Sequence, residues 1–144
     1  MKRVKWWLGV VMLVALSIPA VQASTINQSA FDGQWVGRVT TPEGRDVDVR
    51  IVITGNVAQQ FFNNNGTWSA VDPDKVTFMV DRNNAVMVWL NSGGAWSETQ
   101  VFSMSLQNLN KLDVVWTRHV NNLRNGSDNE TWNLLGSGTL RRVG

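Results

Sequence analysis

From Arg45 to Thr54 the chain alternates with period two. Val47, Val49, Ile51 and Ile53 fall on one side, and Asp46, Asp48, Arg50 and Thr54 on the other. Successive side chains of a strand point to opposite faces, so this pattern reads as a half-buried strand and not as a helix. The same period recurs in Val76, Phe78 and Val80 against Thr77, Met79 and Asp81. It returns in Leu112, Val114, Trp116, Arg118 and Val120 against Asp113, Val115, Thr117 and His119. Beyond the N-terminal segment no stretch sustains an i, i+3, i+4, i+7 stripe. A short helical turn is allowed near Asn27 to Phe31.

Turn signals separate these runs: Pro42-Glu43-Gly44, Gly55-Asn56, Asn65-Gly66, Asp72-Pro73-Asp74, Arg82-Asn83-Asn84, Asn91-Ser92-Gly93-Gly94 and Gln107 to Asn110. Asn and Gly tolerate the positive φ that tight hairpins need, and Asn65-Gly66 is the strongest of these signals. Short strands with turns at such spacing indicate an all-β chain. We expect eight or nine strands in an antiparallel meander. Closing a meander removes its exposed edges, so an up-and-down β-barrel is the first architecture expected and a β-sandwich the second. The longest loop is expected at Asn121 to Asn129.

The N-terminus has a different character. Lys2, Arg3 and Lys5 precede Trp6 to Leu16, an uncharged and mostly apolar run. Pro19 then breaks the run, and Val21-Gln22-Ala23 supplies small residues. This is the layout of a secretory signal peptide over residues 1–23, with residues 24–144 as one β-barrel domain. The apolar run is shorter than the roughly 20 residues that span a bilayer. The expected location is therefore periplasmic or secreted. Cleavage would remove three of the 13 basic residues and none of the 11 acidic ones, leaving ten against eleven and a formal net charge of −1. Nucleic-acid binding needs a basic face, and none is left. The outward residues of the clearest strands are Asp, Arg and Thr, and the chain has no Tyr. That is not the apolar band with aromatic girdles of a membrane barrel, so no stable membrane insertion is expected after cleavage. The chain has no Cys, so a secreted domain of this kind must be held by its core alone.

Six of the eight Trp lie beyond Ala23: Trp35, Trp68, Trp89, Trp96, Trp116 and Trp132. Each offers a large apolar face and one N–H, which suits either a filled core or a lined pocket. Charges on apolar faces are more specific. Glu98 and Gln100 share a face with Trp96, Phe102, Met104 and Leu106. Arg118 lies with Trp116 and Val120, and Glu130 with Trp132 and Leu134. A buried charge needs a partner, so Arg118 is expected to pair with Glu98 or Glu130. Such a pair is either structural or the polar end of a cavity. The candidate ligand-binding residues are Trp89, Glu98, Trp116, Arg118, Glu130 and Trp132. His119, the sole His, falls on an outward face without a second metal ligand. No Gly-x-Ser-x-Gly elbow is present, and no catalytic constellation, metal site or cofactor is expected.

Phe31-Asp32-Gly33-Gln34-Trp35 resembles the F-x-G-x-W start of lipocalins and related calycin barrels. The resemblance implies that Gly33 permits close packing, that Trp35 closes one end of the barrel, and that Arg141 or Arg142 from the last strand packs across it. Beyond Ala23 the chain is shorter than a typical lipocalin, and the second and third lipocalin motifs are not recognisable. The resulting expectation is an exported, non-enzymatic barrel that binds a small, partly apolar ligand in its interior. The alternatives are an interaction or inhibitor module of the cell envelope that contacts an envelope or extracellular protein through its loops, and a glycan binder using exposed Trp68 or Trp96.

Overall fold

The computed structural model describes residues 28–72, 75–123 and 129–144. The signal peptide expected at residues 1–23 lies outside the described residues. Among the described residues a 3-10 turn, Gln28–Ala30, precedes nine strands. These are β1 (Gly33–Thr40), β2 (Asp46–Thr54), β3 (Val57–Asn64), β4 (Thr67–Ala70), β5 (Val76–Asp81), β6 (Asn84–Gly93), β7 (Trp96–Asn108), β8 (Lys111–Leu123) and β9 (Asn129–Val143). All pairings are antiparallel, in one sheet of order β4-β3-β2-β1-β9-β8-β7-β6-β5. The hairpin turns are built as their sequences demand. Asn65 and Gly66 both have positive φ, as a type I′ turn requires.

Connectivity forces the sheet to curl. Laid flat, nine strands would hold β4 and β5 about 38 Å apart. Yet these two edge strands are consecutive in the chain, and the segment between Ala70 and Val76 reaches at most about 20 Å. The sheet therefore bends until its two arms, β1 to β4 and β5 to β9, face each other. Phe62 of β3 meets Trp89 of β6 edge-on, with ring centroids 5.7 Å apart. The core fills the space between the arms: Ile51, Val49 and Val39 from one, Met87, Phe102, Met104, Leu112 and Trp116 from the other. Two glycines let β9 pass close to its neighbours. A Cβ on Gly138 would lie 1.9 Å from the Arg38 carbonyl oxygen, and one on Gly136 would press on the Trp116 ring at 3.3 Å.

The hydrogen-bonded closure expected of a barrel is not made. Among the described residues β4 pairs only with β3, and β5 only with β6. β4 has four residues, too few to carry a ladder along β5. Val71 then takes up bonding capacity of β3: its N–H donates to Gln60 O at 3.0 Å, and Gln59 Nε2 donates to Val71 O at 3.5 Å. The expected loop at 121–129 is also shorter than its sequence suggested. β8 and β9 pair as far as Leu123 and Asn129, and residues 124–128 lie outside the described residues. The turn expected at 91–94 sits instead at Gly94 and Ala95, because β6 continues through Gly93.

The two arms differ on their outer walls. The first is charged. Arg38 Nε binds Asp48 Oδ1 at 2.8 Å, and Asn63 Nδ2 donates to Asp48 Oδ2 at 2.9 Å. These contacts, Arg38 first, hold the Asp48 carboxyl below its usual range, and Asp48 in turn raises Arg38. The second arm is largely uncharged. Val86, Ser103, Val115 and Ser137 form one outward cross-strand row, with Val88, Val101, Thr117 and Leu135 beside it.

Candidate functional site

Alternation places Glu98 and Gln100 of β7, Arg118 and Trp116 of β8 and Trp89 of β6 on the inner face. Register then brings them together. Gln100 stands opposite both Trp89 and Arg118, and Phe102 opposite Trp116. Arg118 reaches diagonally to Glu98. Its Nε donates to Oε1 at 2.6 Å and its Nη2 to Oε2 at 3.0 Å. Glu98 is 3% exposed, so the fork of two bonds must offset several kcal/mol of desolvation.

Gln100 extends the pair into a network. Its Nε2 donates to Glu98 Oε1 at 2.6 Å. Its Oε1 accepts from Trp116 Nε1 at 2.9 Å and from Gln60 Nε2 at 3.1 Å. Indole is a donor only and an Arg-paired carboxylate an acceptor only, so these two neighbours fix which way the amide points. Gln60 belongs to β3, so this contact joins the two arms across the interior.

The network forms one side of a pocket of about 270 Å³. Phe62, Trp89 and Trp116 supply aromatic walls, Val47 and Leu134 aliphatic ones, and Arg45 a further charge at the exposed side. Two buried polar atoms of this region have no partner among the described residues: Trp89 Nε1 and Gln60 Oε1. A wider depression of about 760 Å³ lies on the outer wall of β6 to β9. Its floor is the outward row of Val86, Ser103, Val115 and Ser137, and its charged groups, Lys111 and Asp113, are half-exposed and paired with each other at 3.5 Å. A small ligand is better surrounded by the interior pocket, where apolar walls and a few polar groups meet.

Of the six residues expected to bind a ligand, Trp89, Glu98, Trp116 and Arg118 line this pocket. Arg118 pairs with Glu98 and not with Glu130. Glu130 stands opposite Asn122 in the ladder, and its side chain is outside the described set. Trp132 lies opposite Val120, is 38% exposed and does not line the pocket. Arg45, Val47, Gln60 and Phe62 were not singled out in sequence. Gln60 carries a usable signal, a polar side chain on the inward side of β3 between Ala58 and Phe62. His119 faces outward and is exposed, with Nδ1 2.5 Å from Asn133 Oδ1. Trp68 and Trp96 are half-buried.

At the other end of the interior, Trp35 is fully buried and donates from Nε1 to Phe31 O at 2.7 Å. Arg142 lies over its ring, 4.6 Å from guanidinium carbon to centroid. Arg142 Nη2 donates to Ala30 O at 2.6 Å, and Nη1 to Asp32 O. Gly33, at φ +130°, leaves room for that guanidinium. Arg141 takes no part: it is exposed, on the opposite face of β9. The chain matches no protein-family model, no curated protein and no solved structure.

Proposed function

We propose that this is an exported, barrel-like carrier that binds a small, partly apolar ligand between the arms of its curled sheet. The carrying observation is the interior pocket, where the buried Glu98, its half-buried partner Arg118 and Gln100 stand beside the apolar surfaces of Trp89, Phe62, Val47 and Leu134. Apolar walls would hold the body of the ligand, and the ion pair would orient its polar group. The basic and apolar N-terminal segment supports export, and the F-x-G-x-W start with Arg142 over Trp35 supports a calycin-like relationship. A binding role rather than catalysis is favoured because the only His lies on the outer wall, away from the pocket.

The test is a thermal-shift screen of small molecules on wild type and on Leu134→Trp, which fills the pocket from its own wall. Ligands that bind the folded state raise Tm by mass action. Compounds that shift wild type and not Leu134→Trp support the proposal. Shifts that survive in Leu134→Trp place binding elsewhere.

A second reading has one observation in its favour. Val115 and Leu135 are 46% and 50% exposed on the largely uncharged outer wall, which suits contact with an envelope protein. Changing both to Lys would abolish such a contact and leave the interior pocket unaffected.

A further inference from the structure

The charge and the hydrogen-bonding deficit of the pocket point to the class of its ligand. Its lining holds two guanidinium groups, Arg45 and Arg118, against one carboxylate, Glu98. Glu98 engages Nε and Nη2 of Arg118 but not Nη1. Arg45 makes no ion pair among the described residues. The nearby carboxylates of Asp46 and Asp48 belong to the outer wall, where Arg38 holds them. The pocket therefore has an excess of positive charge.

Trp89 supplies the second observation. It is 6% exposed and lines the pocket, and its indole N–H is buried without an acceptor among the described residues. Buried donors are normally satisfied, and one left open beside a pocket is explained by a ligand that accepts from it. Trp116, two strands away on the same wall, is satisfied by Gln100, so of the two indoles lining the pocket only Trp89 has an open donor among the described residues. The volume of about 270 Å³ falls just below the usual range for pockets of drug-sized ligands, which excludes a long acyl chain lying wholly inside.

We propose that the pocket takes a compact monoanion: a carboxylate on an aromatic or branched aliphatic body, with one oxygen accepting from Trp89 Nε1–H and the charge facing Arg45 and Arg118. This rests on the interior pocket being the binding site. The body sits against Phe62, Val47 and Leu134. Glu98 holds Arg118 in place and, as a like charge, disfavours more highly charged anions.

The experiment is NMR titration of the ¹⁵N-labelled protein with benzoate, benzamide and benzylamine, following the indole N–H resonances of Trp89 and Trp116. These are assigned by Trp→Phe variants. Benzoate is expected to move the Trp89 resonance downfield and to bind at least tenfold more tightly than benzamide or benzylamine. Trp89→Phe keeps a ring but removes the donor, and should weaken benzoate about tenfold. Equal or tighter binding of benzamide or benzylamine at the same resonances overturns the anion assignment while leaving the pocket as a binding site. Unchanged benzoate affinity in Trp89→Phe overturns the role of the indole. If saturating amounts of all three probes leave both indoles unmoved, the inference fails, and the pocket itself is then judged by the Leu134→Trp comparison.

Discussion

Arg118 grips Glu98 through two bonds, at 2.6 and 3.0 Å, although the carboxylate is almost completely buried. Taking away one partner leaves an uncompensated charge, whereas taking away both does not. Arg118→Met is expected to destabilise by about 3 kcal/mol. Arg118→Met combined with Glu98→Gln should recover at least half of that loss. Urea denaturation of the two single variants, the double variant and wild type checks this, and additive losses would contradict it.

The two indoles of the pocket should respond unequally to the same change. Trp116→Phe breaks the bond to Gln100 and leaves its oxygen one donor short, with an expected cost of about 1–2 kcal/mol beyond the lost ring area. Trp89→Phe removes a donor that has no partner among the described residues and should be cheaper than Trp116→Phe by about 1 kcal/mol in ligand-free protein. Chemical denaturation of both variants tests the difference.

At the closed end, Arg142→Ala loses the stacking on Trp35 and the bonds to Ala30 O and Asp32 O. The expected loss is about 2–3 kcal/mol. Arg141→Ala, one residue away on the exposed face, should stay within about 0.5 kcal/mol of wild type. A melting-temperature comparison of the two variants suffices.

The outer wall gives a pH dependence. Asp48 has a folded-state pKa below its unfolded one because Arg38 and then Asn63 bind its charged form. Its contribution is therefore present above the unfolded value near pH 4 and lost as pH falls through the lower folded value. Asp48 is about one-third exposed, so the contribution is small. Asp48→Asn should flatten part of the decline in stability below pH 4, and between pH 6 and 8 it should lower stability by a small constant amount without changing the slope against pH. Arg38 has a raised pKa but stays charged throughout that range.

The inner and outer faces of β2, β5, β7 and β8 were legible because a half-buried strand alternates. That was enough to find Glu98, Gln100, Trp116 and Arg118 on the interior. It did not select between Glu98 and Glu130 as partner for Arg118, since that depends on cross-strand register. Gln60 and Phe62 were hidden for a further reason. They reach Gln100 and Trp89 only because the sheet curls, and period two carries no information on curl. The open edge between β4 and β5 was equally out of reach, because it follows from the shortness of β4 and from Val71 bonding to Gln60. The Asn-rich stretch around Asn121 read as loop by composition, yet Asn121 and Asn122 pair with Thr131 and Glu130.

The most direct measurement is native mass spectrometry of wild type and Leu134→Trp, each purified from the exported fraction without detergent. A bound mass of a few hundred daltons or less is expected on wild type. It should be released on denaturation and be missing from Leu134→Trp. The same adduct on both proteins would place the ligand outside the interior, and bare wild-type protein even after incubation with the compounds that raise its Tm would contradict an interior carrier.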